Sequence, residues 1–69
     1  MLTDGELLTM YRCEIFWPDD ALRRLRAAFK IDLLLGADPV FCLHRVALID
    51  QVLVERRDRA LSTDRRHDG

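Results

Sequence analysis

The sequence predicts an all-α protein: a short N-terminal segment plus an antiparallel two-helix hairpin, about 19–35 and 39–61, completed by oligomerisation. Three observations carry that expectation. Apolar residues recur at spacings near three and four on both sides of Gly36-Ala-Asp-Pro39. That tetrapeptide combines a helix stop with a helix start. The segment after it is apolar around most of a helical circumference, and a chain of 69 residues is too short to wrap such a helix on every side.

At the N-terminus, Thr3-Asp-Gly-Glu6 matches the T-x-x-E capping box and predicts a short helix from Asp4 to about Arg12. The segment Met10–Trp17 is rich in aromatic and branched residues and ends before a proline, so its later part is expected to be extended. Asp19 and Asp20 suit an N-cap and first turn, where carboxylates meet the positive end of a helix. From there Ala21, Leu22, Leu25, Ala28, Phe29, Ile31 and Leu33 form the apolar face, with Arg23, Arg24, Arg26 and Lys30 opposite. Gly36 is expected to cap the C-terminus, because glycine accepts a left-handed backbone angle cheaply. Asp38 then fits an N-cap and Pro39 the first helical position, where a missing N–H is no loss. The second helix runs from Val40 to about Leu61. Residues 1–61 form one domain in this reading, and the polar run 62–69 a flexible tail.

Nearly half of the chain is hydrophobic (49%) and a third is charged (33%), with a net charge of −1. The charge is unevenly placed. Residues 1–22 hold one arginine against five carboxylates, a net −4; the remainder holds ten basic and seven acidic groups, a net +3. Such a gradient could orient a partner, while the near-neutral sum argues against nonspecific nucleic-acid binding. The acidic N-terminus does not read as a signal peptide, and no apolar run approaches the roughly 18 residues of a membrane span. With only two cysteines, Cys13 and Cys42, a reduced cytoplasmic location is expected.

Signals for chemistry are few. Zinc sites are marked by C-x₂₋₄-C or H-x₃₋₅-H pairs, and neither occurs; Cys42 and His44 would point about 200° apart on a helix. No glycine-rich phosphate loop is present, and no serine precedes Ser62. Capping accounts for Asp19, Asp20 and Asp38. No catalytic residue, metal site or cofactor is expected. Asp50 stands out as a carboxylate within Val46-Ala-Leu-Ile-Asp-Gln-Val-Leu-Val54, fit either for a salt bridge between chains or for a solvated edge shared with Arg45 and Glu55. Phe16 and Trp17 fall outside the helical pattern. They could staple the following helix or form an exposed anchor of the kind found at interface hot spots.

The stretches Phe16-Trp-Pro-Asp-Asp-Ala-Leu-Arg-Arg-Leu-Arg-Ala-Ala28, Leu33-Leu-Leu-Gly-Ala-Asp38 and Val46-Ala-Leu-Ile-Asp-Gln-Val52 together resemble the helical C-terminal part of the chaperone-modulator (CbpM) family, relatives of MerR-type regulators. The spacing agrees without a gap from Trp17 to about Arg57, a little over half of the chain. Members carry a winged helix-turn-helix-like region before this part, and the sixteen residues present here cannot contain one. The resemblance therefore implies the helical functions alone: dimerisation and contact with a protein such as a DnaJ-like co-chaperone. Leu48, Ile49 and Asp50 match its hydrophobic–hydrophobic-Asp motif.

The function expected is a noncatalytic small adaptor or modulator that dimerises and binds another protein. Phe16, Trp17, Leu48, Ile49, Asp50, Val52 and Leu53 are its expected partner-binding residues. The alternatives are a minimal DNA-binding regulator, using Arg23, Arg24, Arg26, Arg56, Arg57 and Arg59, or an accessory subunit of a larger enzyme. Glu55, Asp58 and Asp64, interleaved among the C-terminal arginines, weigh against the former.

Overall fold

A computed structural model describes residues 2–68, with side chains described as far as Leu61. Three helices follow one another: α1 (Asp4–Arg12), α2 (Asp19–Leu34) and α3 (Pro39–Asp68). No strand occurs among the described residues. The flexible tail expected over 62–69 concerns side chains and a terminus outside the described residues; the helical backbone itself continues past Leu61.

The capping box opens α1 as the sequence implies. Glu6 N–H donates to the Thr3 hydroxyl at 3.2 Å, and Thr3 N–H donates to the Glu6 carboxylate at 3.3 Å. After Arg12 the chain turns rather than extending. Trp17 N–H reaches the Cys13 carbonyl at 2.8 Å, so the expected extended segment is a tight turn over 13–17. The reason is the destination of Trp17: its ring packs edge-on against Tyr11, 5.6 Å between centroids. An extended segment would carry the two rings apart.

The start of α2 also differs in detail. Its N-cap is Pro18, which offers no side-chain acceptor, and Asp19 and Asp20 lie in the first turn. Asp19 is drawn to Arg56 instead, at 2.7 Å. The inward face of α2 is narrower than expected. Leu22 is fully buried and Leu25 and Phe29 pack beside it, but Ile31 is 55% exposed. Nine positions at about 100° each place Ile31 opposite Leu22 on the helix.

The elbow between α2 and α3 satisfies its own backbone. Gly36 takes φ +97°, and Gly36 N–H and Ala37 N–H donate to the carbonyls of Leu33 (3.2 Å) and Asp32 (3.0 Å). This pair of bonds is a Schellman motif, with Leu35 at the cap and Gly36 just past it. On the other side, the Asp38 carboxylate accepts from Val40 N–H at 3.0 Å, capping α3.

Ion pairs give the directions. Asp4 meets His44 and Arg12 meets Glu55, so α1 runs parallel to α3; Asp19 meets Arg56 and Arg26 meets Asp50, so α2 runs antiparallel. α3 is thus flanked on two sides. Leu7, Tyr11, Leu22, Leu48, Ile49 and Val52 make the buried core where the three helices meet. A nine-residue helix supplies the second wall that buries one side of α3 within the chain.

Candidate interaction surface

The core fixes which faces remain. Ile49 and Val52 are essentially inaccessible and Leu48 is buried, so three residues expected to meet a partner face the chain's own α1 and α2. Leu53 and Trp17 are half-buried beside them. Phe16 separates from its neighbour: it is 77% exposed, together with Ile15, on the turn between α1 and α2. Asp50 neither stands alone nor awaits another chain for its first partner, since Arg26 donates to its Oδ1 at 2.6 Å.

What lies uncovered on α3 is a different set. Val40, Leu43, Val54 and Leu61 are each at least half exposed, and Ala47 lies open between them. Their spacings are three, four, seven and seven, so they form one stripe along the helix, pointing away from α1 and α2. Periodicity could have revealed this stripe. The apolar residues of α3 cover most of its circumference, so the sequence does not say which of them the chain buries itself. A second apolar area lies at the elbow, where Leu34, Leu35 and Val40 are among the most exposed large side chains.

The polar residues bind the helices together. The Arg56 side chain is only 8% exposed. One of its terminal nitrogens donates to Asp19 of α2 and the other to the Tyr11 carbonyl of α1, at 2.7 and 3.0 Å. Its Nε, 3.9 Å from Glu14, is buried without a hydrogen bond. Arg12 grips Glu55 with two parallel bonds of 2.9 and 2.8 Å. That grip holds the Glu55 carboxyl below the ordinary glutamate range and raises the Arg12 guanidinium above its usual value. Glu14 also meets Arg59, and Arg45 lies over the Phe41 ring at 4.9 Å. The charge gradient of the sequence is therefore largely closed within the chain, acidic α1 and turn against the basic middle of α3.

An open groove of about 810 Å³ separates the first half of α2 from α3. Leu53 and Val54 line it together with Arg23, Arg26, Asp50 and Arg57. It holds an ion pair already formed, Arg26 with Asp50, and stays open to water. Among the described residues no three His, Cys, Asp or Glu side chains converge as a metal site, and both cysteines are free thiols. No described helix is long and apolar enough to cross a membrane. No family model, curated protein or solved structure matches the chain.

Proposed function

We infer that this protein is a noncatalytic helical adaptor or modulator that associates with itself and binds a protein partner, a co-chaperone or regulatory target being the class of partner that the family resemblance implies. The observation that supports this reading is the outward stripe of α3. A water-exposed row of Val40, Leu43, Ala47, Val54 and Leu61 sits on a helix whose opposite face is already buried. Exposed apolar rows of this kind mark interaction sites in small proteins. The elbow and Phe16 offer further apolar area, at the two ends of the α2–α3 hairpin, for a different protein.

Nucleic-acid recognition has less support. Of the six arginines considered for it, Arg56 has a side chain only 8% exposed and tied to Asp19, and Arg26 and Arg59 are paired with carboxylates. Phosphate binding rests on free cationic groups.

Light scattering behind size exclusion, run across a dilution series, tests the reading. A mass of two or more chains at micromolar concentration is expected, and Val54→Asp should reduce it to one chain with unchanged far-ultraviolet circular dichroism. A folded wild-type monomer throughout the series would refute self-association. Capture with Leu35→Asp and Phe16→Asp variants, compared with the wild type, then assigns the partner-facing ends.

A further inference from the structure

We propose that a second copy of this chain packs on the α3 stripe in antiparallel orientation, with Asp50 of each chain paired to Arg57 of the other. The inference rests on the self-association proposed above and adds its geometry.

Val40, Ala47, Val54 and Leu61 recur every seven residues, and Leu43, Asp50 and Arg57 recur every seven beginning three later. These are the two inward positions of a heptad seam. The seam holds two charges, one of each sign, one heptad apart. In a parallel pair, identical residues share a layer, so Asp50 would meet Asp50 and Arg57 would meet Arg57. Both layers would be repulsive. Antiparallel pairing removes this. With Leu43 set opposite Leu61 of the second copy, Ala47 falls opposite Arg57 and Asp50 opposite Val54.

The side-chain directions then favour the cross-pair. A long helical side chain leans toward the N-terminus of its own helix. Arg57 therefore tilts toward the level of Val54, which faces Asp50 of the other chain, and the small Ala47 opposite leaves room for its stem. Twofold symmetry repeats the pair. Asp50 has capacity for it, since its side chain is 46% exposed while bound to Arg26. Arg57 is exposed and takes part in none of the ion pairs among the described residues. Both residues also line the open groove beside Leu53 and Val54, which places them along the edge of the stripe that faces α2.

The test uses the full chain. A spin label at His44→Cys, an exposed position beside the seam, in a Cys13→Ser/Cys42→Ala background, reports the distance between the two 44 positions of a dimer. Sixteen residues of offset at about 1.5 Å each predict about 24 Å for the antiparallel pair, against roughly 10–15 Å for a parallel one. Separately, Arg57→Glu in the otherwise native chain should weaken dimerisation roughly tenfold or more, because four carboxylates then crowd the seam. The long distance together with that weakening supports the proposal. The short distance, or dimerisation indifferent to Arg57→Glu, overturns it while leaving self-association standing. A monomer at every concentration overturns both.

Discussion

Single residues control how α1 is held. Arg12 hydrogen-bonds Glu55 and so lowers the pKa of its carboxyl in the folded chain. A carboxylate lowered on folding stabilises above its ordinary range and loses that effect as pH falls through its folded value. The α1–α3 contact should therefore persist through the normal glutamate range and loosen only at more acidic pH. Trp17, the one tryptophan, sits against Tyr11 at the end of α1 and reports the change by fluorescence. Glu55→Gln should flatten part of that acid transition; identical pH profiles for the two chains would show that the pair does not matter. Gly36 is a second control point. Its φ of +97° is costly for residues with a Cβ, although open space surrounds the position. Gly36→Ala should thus cost about 1 kcal/mol in urea unfolding, from backbone strain alone.

Among elements, α3 is the one around which the others are arranged. Ile49 has no exposed surface and touches the core shared by all three helices. Ile49→Ala should destabilise by about 2–5 kcal/mol, a large share of the few kcal/mol available to a domain this small. Arg56→Met should cost about 1–3 kcal/mol, since it unties Asp19 and the Tyr11 carbonyl together and leaves a buried acceptor unpaired. Both values follow from chemical denaturation monitored by circular dichroism. The elbow was legible in Gly36-Ala-Asp-Pro39 because its signals are local: each cap is satisfied within five residues. The T-x-x-E box was legible for the same reason. That Leu48, Ile49 and Val52 are buried within the chain is not legible in the sequence, because the core there forms only when α1 returns to α3 across some forty residues. Asp50 and Arg26 meet across 24 positions, and no local pattern announces them.

At the scale of the whole molecule, the hairpin gains a third helix yet remains apolar outside. The chain buries one side of α3 and leaves the other with its valines and leucines in water. If the outer stripe is the self-association surface, unfolding should become concentration-dependent, with a thermal midpoint that rises as protein is added. Scanning calorimetry at two concentrations tenfold apart checks this. Val54→Asp should abolish the dependence and lower the midpoint toward that of the isolated chain. The connectivity has its own consequence for the order of assembly. α2 and α3 join through the short link 35–38, whereas Arg12 and Glu55 are 43 positions apart. Bringing α1 to α3 before the hairpin exists costs roughly 2 kcal/mol more loop entropy than closing the elbow. The hairpin is thus the early unit, and α1 the lid added last and released first. Native-state hydrogen exchange should show the amides of Leu7–Tyr11 opening well before those of Ile49–Leu53. Each such opening should uncover Leu48 and Val52, and would give the chain a second apolar face that shows itself only in passing.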